Sequence, residues 1–181
     1  MDSSALELRP LRLSDETAFR HALAAYEASP SLGEFALEFR DRNDFPSYVR
    51  DLDHWSRGEA LPPGWVSSSF YVGVVGDTIV GRLSFRHSLT KYLLNYGGHI
   101  GYAVVPEFRG RGYATAMVQK ALPRCAALGL DRVLLTCDAD NLASKHIIEK
   151  CGGVFESSDT EPNSLVPKLR YWIRVSPVAA K

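Results

Sequence analysis

Cysteine is scarce in this sequence, and the three present, Cys125, Cys137 and Cys151, are odd in number and far apart. No CxxC spacing joins them, which removes the usual zinc and dithiol readings; reduced core thiols are expected, and no metal site. A surplus of either charge is also missing, since Lys plus Arg and Asp plus Glu both total 21. Nothing global draws such a chain to a polyphosphate backbone or an anionic membrane, so neither nucleic acid nor membrane is expected as a partner. No unbroken apolar run approaches about 18 residues. The opening Met1-Asp2-Ser3-Ser4 has no basic flank leading into an apolar stretch, and a cytoplasmic location is expected. Repeats and low-complexity tracts are absent.

What remains is an ordinary globular composition. With 181 residues, 45% of them apolar and 23% charged, the chain can bury a core without metals or disulfides. One domain over residues 6–175 is expected, with a short tail at 176–181. Apolar side chains alternate over 6–13, which predicts a strand disturbed near Pro10. Ser14 then offers a cap to a helix opened by Asp15 and Glu16, with Ala18, Phe19, Ala22, Leu23 and Tyr26 as its buried stripe, stopped by Ser29-Pro30. A second helix is expected from about Pro46 to Arg57.

Two β-rich runs follow, 70–75 and 79–85, joined through Gly76-Asp77 in a tight antiparallel connection. Another strand is expected over 98–105. The period then becomes helical from Ala114 to Leu128, with Gly129 as a left-handed cap and Pro123 as an expected kink. A strand over 132–137, a helix over 141–151, a strand starting at Val154-Phe155 and a last strand over 169–175 complete the order. Such an order describes an α/β protein with a mixed sheet and helices on its faces.

The most informative segment runs Val104-Val105-Pro106-Glu107-Phe108-Arg109-Gly110-Arg111-Gly112-Tyr113-Ala114. A strand enters and a helix leaves, with glycines where backbone must approach a ligand. The amides from Arg109 through Ala114 can converge at the helix N-terminus, where donors lack intrahelical acceptors and the dipole favours an anion such as a pyrophosphate. The Gly-Lys-Ser/Thr ending of a nucleotide P-loop and the dinucleotide glycine spacing are both absent.

Arg109-Gly110-Arg111-Gly112-Tyr113-Ala114 resembles the R/Q-x-x-G-x-G/A signature of the GNAT superfamily of acetyltransferases. Asn141-Leu142-Ala143-Ser144, followed by Ile147-Ile148-Glu149-Lys150-Cys151-Gly152, is similar to the second segment of that family. The resemblance covers nearly the whole chain, and it implies a mostly antiparallel central sheet flanked by helices, splayed to admit an acyl-coenzyme A. It implies acetyl-CoA as co-substrate and a small-molecule or peptide amine as acceptor, in a monomer or homodimer. Backbone groups of Ala103, Val104 and Val105 would pair with the pantetheine arm, and amides near Val104 would polarise the developing oxyanion. Arg109, Gly110, Arg111, Gly112, Tyr113 and Ala114 would hold the pyrophosphate. Asn141 would cap its helix, touch the cofactor, or both, and Ser144 would lie near the sulfur or the phosphate arm.

The chemistry needs a deprotonated amine and a way to tolerate the leaving thiolate. His99, at the start of the cofactor-lined strand, is the candidate base; its alternative is a hydrogen-bonded strand histidine. Many relatives use a tyrosine acid at the position held here by Ile148, which has no proton to give. Tyr171, Tyr113 or a water could substitute, or the thiolate could leave without a dedicated side-chain acid. Tyr171 or Trp172 could line the acceptor pocket, though alternation lets only one of them face it. Phe35, Phe39, Tyr48 and Trp55 lie in the helical region that shapes acceptor choice in relatives. A covalent acyl-cysteine is not expected. Transfer by direct attack in a ternary complex is the leading expectation, and a coenzyme-binding sensor without turnover is its rival.

Overall fold

A computed structural model gives the fold and describes residues 5–29, 34–36, 39 and 44–175. The alternating runs form two antiparallel sheets. β1 (Glu7–Pro10), β2 (Ser68–Val75), β3 (Thr78–Arg86) and β4 (Ile100–Val104) pair in chain order. β5 (Arg132–Asp138), β6 (Val154–Asp159) and β7 (Lys168–Arg174) form the second sheet, with β7 in the middle. The helices are α1 (Glu16–Glu27), α2 (Phe45–Arg57), α3 (Tyr113–Ala127) and α4 (Leu142–Lys150). The architecture is a mixed α/β fold with central antiparallel sheets flanked by helices, and the strands and α-helices of the described residues follow in the order expected from periodicity.

Strand alternation divides the buried side chains between two cores. On one face Val80, Leu83 and Phe85 meet Met117 and Val118 of α3, Ile148 of α4, and Leu135 and Tyr171 of the second sheet. On the other, Phe70, Val72, Ala103 and Val105 pack against α1 and α2 around Phe19, whose ring lies 5.6 Å from that of Phe45 and 5.8 Å from that of Tyr48. Phe35, Tyr48 and Trp55 are buried there, so the aromatic residues expected to shape an acceptor site are largely spent on this core.

Local details depart from expectation for identifiable reasons. Ser14 does not cap α1. Instead the Asp15 carboxylate takes the Arg12 amide at 2.8 Å and the Arg9 guanidinium at 2.6 and 2.8 Å. The Arg9 hydrogen bonds hold the Asp15 carboxyl below the usual carboxylate range. β1 stops at Pro10, which has no amide to donate. Pro123 lies inside α3, which runs on to Ala127, and Gly129 has the expected left-handed conformation with φ +82°. Pro30 and the tail at 176–181 lie outside the described residues.

Candidate active site

The two sheets meet at one end of β4. The His99 amide donates to the Leu134 carbonyl at 2.7 Å, and the Leu134 amide donates back to His99 Nδ1 at 2.9 Å. One imidazole thus replaces a backbone acceptor at the join. Gly98, with φ +65° and ψ −179°, turns the chain into this contact. Past it, β4 is the edge of the first sheet and has no strand on its outer side among the described residues.

Strand register decides what that edge offers. Val105 donates to Val80 at 3.0 Å and His99 accepts from Arg86 at 2.8 Å, so odd-numbered positions of β4 bond to β3. Ala103 therefore spends its backbone groups on β3, while Val105 spends its amide on Val80 and its carbonyl on the Phe108 amide at 2.9 Å. Tyr102 and Val104 turn theirs to the open edge, which corrects the expectation that 103–105 all serve a ligand. The Val104 carbonyl takes an exposed bond from Arg109 Nε at 3.2 Å, while its amide points outward.

Beyond β4, a single turn at Pro106–Phe108 leads into α3. Gly110 (φ +75°) and Gly112 (φ +80°) are both left-handed, and Gly112 is the N-cap of α3. No acceptor meets the amides of Gly110, Arg111, Gly112 or Ala114 among the described residues. These donors sit at the positive end of a 15-residue helix, which suits them to a phosphate. The Arg109 and Arg111 side chains lie over the rings of Tyr26 and Phe108 at 5.8 and 5.6 Å, and Tyr113 is buried in the core beneath.

A cavity of about 300 Å³ opens through the gap between the sheets. Tyr102, Thr136 and Ser144 line one side of it, and Glu34, Arg82 and Arg86 the other. The Tyr102 hydroxyl donates to Ser144 Oγ at 3.2 Å. Burial pushes that phenol up to about 12, so it keeps its proton at neutral pH. Asn141 caps α4 through a 3.0 Å bond from the Ser144 amide to its side-chain oxygen, which fixes Ser144 on the first turn. Arg82 and Arg86 join the site only through the fold. The sequence carried a signal for them, two arginines four apart on one face of an otherwise apolar run.

Neither residue expected to move protons lines this cavity. His99 is 5% exposed, its Nδ1 is occupied by the Leu134 amide, and burial followed by the nearby Arg86 charge holds its pKa down to about 4. Tyr171 is buried on the α4 side of the second sheet, its hydroxyl 3.5 Å from Glu149 and its pKa raised by burial. Trp172 faces the opposite way, with its ring 6.2 Å from that of His99. Ile148 is fully buried in the core, which explains why an apolar side chain stands there. The thiols of Cys125, Cys137 and Cys151 are free, and burial pushes them up to about 12, 11 and 11, so they are not thiolates at neutral pH. Among the described residues no group of three or more His, Cys, Asp or Glu could hold a metal ion, and no helix is long and apolar enough to cross a membrane.

The His99 environment carries a testable consequence for stability. A histidine whose folded pKa lies below its unfolded value contributes stability in full above about pH 6.5 and loses it as pH falls toward about 4. The loss amounts to about 3 kcal/mol at the acid end. In a His99→Asn variant the amide oxygen can accept from Leu134 without titrating. Urea unfolding between about pH 7 and 4.5 should show a shallower loss of stability in the variant than in the parent. Equal pH slopes would remove His99 as the acid-sensitive joint.

A family model described as an acetyltransferase (GNAT) domain matches residues 5–154. Acetyltransferase plu1384 of Photorhabdus laumondii is 35% identical over 83 residues, which are 44% of this chain and 49% of that protein. The matched stretch thus spans about half the length of that curated relative. Among solved structures, a Salmonella typhimurium acetyltransferase that modifies the N-terminal serine of ribosomal protein L7/L12 superposes with a TM-score of 0.68 at 19% identity, over 96% of both chains. YncA, a putative acetyltransferase of Salmonella typhimurium solved with acetyl-CoA, superposes with a TM-score of 0.61 at 12% identity, over 97% of both chains. At these identities the superpositions establish the shared fold.

Proposed function

Since the chain belongs to the GNAT family of acetyltransferases, we propose that it passes an acetyl group from acetyl-CoA to a primary amine of a small molecule or peptide, by direct attack in a ternary complex. The observation that carries this reading is the cavity through the sheet gap, with a hydroxyl pair on one wall and open β4 backbone leading to the α3 amides. The residues fit such a donor. Amides at Gly110, Arg111, Gly112 and Ala114 that meet no acceptor among the described residues would take the pyrophosphate, and the outward Tyr102 groups with the Val104 carbonyl would pair with the pantetheine amides as a neighbouring strand would.

Acetyl-CoA would supply an activated carbonyl: the amine nitrogen bonds to it, the carbon–sulfur bond breaks, and sulfur leaves needing a proton. The outward Val104 amide would stabilise negative charge on the carbonyl oxygen. Ser144 Oγ would give its proton to sulfur and recover one from the Tyr102 hydroxyl, which donates to it at 3.2 Å, and water would then reprotonate Tyr102 while the proton taken from the amine passes to solvent. Glu34 lines the other side of the cavity, and its carboxylate would accept the proton of the amine through water. The acceptor named for the Salmonella neighbour, an N-terminal serine, supports an α-amine as one acceptor type.

Tyr102→Phe and Ser144→Ala test the proton path. Each should lower the turnover rate by about one to two orders of magnitude and leave coenzyme A affinity within about twofold. The pair of changes together should cost little more than either alone, because the two hydroxyls act in series. Steady-state thiol release alongside calorimetric binding measures both quantities. Undiminished rates in both variants would remove this path, and a parent that binds coenzyme A without turnover on any amine would favour the sensor reading.

A further inference from the structure

Among the described residues, two arginines that line the cavity hold no carboxylate. Arg82 is only 8% exposed. Its guanidinium donates to the Glu34 carbonyl and makes a long 3.5 Å contact with Ser84 Oγ, and its Nε has no partner. Half-buried Arg86 donates from Nη1 to the carbonyls of Gly97 and Gly98 at 3.3 and 3.2 Å. Among the described residues neither forms an ion pair, whereas Arg9, Arg170 and Lys168 of the same chain each hold a carboxylate at 3.0 Å or less. Buried charge without a counter-ion is costly, so two such cations facing one cavity call for an anion.

Gly101 marks where that anion would sit. A Cβ built on it would lie 3.6 Å from Arg82 Nη1, 3.8 Å from Arg86 Nη1 and 3.2 Å from Ser84 Oγ. Its φ is not left-handed, so backbone conformation does not require a glycine. The missing side chain instead leaves open a point that both guanidinium groups and a hydroxyl surround. Glu34 lines the same cavity and meets Arg82 through its backbone carbonyl. Tyr102 follows Gly101 directly and reaches Ser144 on the other side of the cavity.

We infer that the acceptor is an amine bearing a carboxylate a few bonds away, and that Arg82 and Arg86 hold this carboxylate at Gly101 while the amine points toward Tyr102 and Ser144. The inference rests on the proposed acetyl transfer and narrows it. Planar guanidinium groups suit a carboxylate, and the same pair repels polyamines. A cavity of about 300 Å³ holds a small amino acid or the terminal residue of a peptide.

The test measures acetyl-CoA-dependent thiol release with free α-amino acids, the matching decarboxylated amines and carboxamides, and short peptides with an acidic or a neutral second residue. The parent should prefer the carboxylate-bearing member of each matched pair by at least about tenfold in kcat/KM. Arg86→Gln and Arg82→Gln should each raise KM for that acceptor by about tenfold or more, leave the decarboxylated amine unaffected and leave coenzyme A affinity unchanged. Preference among free amino acids identifies an α-carboxylate, and preference confined to acidic peptides identifies a side-chain carboxylate. Should Arg82→Gln not fold, Arg86→Gln, at the more exposed position, decides alone. A parent that acetylates decarboxylated amines as well as the acids, or an Arg86→Gln variant that weakens both alike, overturns the inference and leaves the acetyltransferase reading standing. No transfer to any amine overturns both.

Discussion

Replacing Gly112 by valine is expected to lower coenzyme A affinity by at least about tenfold, through the loss of one or more charge-assisted amide bonds. Gly112 has φ +80° and ψ 0° at the N-cap of α3, a conformation that a β-branched residue enters only with strain. Relief of that strain would rotate the peptide groups of Gly110, Arg111 and Gly112 away from their shared direction. The position is exposed, so the core beneath it stays packed, and the stability cost should stay near about 1–2 kcal/mol. Isothermal calorimetry with coenzyme A, paired with a melt followed by circular dichroism, separates the two effects. An unchanged affinity would show that the glycines bend the chain and hold no phosphate.

Gly98→Ala should damage the molecule more broadly. With φ +65° and ψ −179°, Gly98 occupies a region that is essentially closed to other residues. An added Cβ would also stand 2.8 Å from the Leu134 carbonyl oxygen and 3.3 Å from the Leu135 Cα, both rigid backbone of β5. The substitution therefore pushes β4 off β5 where His99 and Leu134 exchange their bonds. Strain and clash together should cost of order 3 kcal/mol or more, a fall of roughly 10 °C in melting temperature. Acetyl transfer should fall with it, because this join sets the width of the gap beyond. A melting temperature within about 2 °C of the parent would mean that the join yields without cost.

Periodicity was enough to order the elements, because each strand and helix buries one face and the residues of that face recur at fixed spacing. The α3 cradle was legible for a local reason: glycines, a strand before and a helix after all lie within eleven consecutive residues, 104–114. What stayed hidden depends on partners distant in sequence. His99 looks like a titratable strand residue until Leu134, 35 positions on, is found donating to its ring. The expectation that 103–105 all face a ligand failed because only the pairing register with β3 says which amides are already taken. Tyr102 and Ser144 lie 42 positions apart and meet only through the fold. Arg82 and Arg86 stood in plain view inside an apolar run, but a strand arginine becomes a site only when the fold sets it on a cavity with no carboxylate beside it among the described residues.

Acceptor-dependent release of thiol from acetyl-CoA, followed with the mass of the acetylated product across an amine panel, tests the central claim most directly. Direct transfer in a ternary complex predicts saturable release that requires both substrates, a product heavier by one acetyl group, and no acetylated protein along the way. Tight coenzyme A binding with no acceptor-dependent release across the whole panel would contradict it.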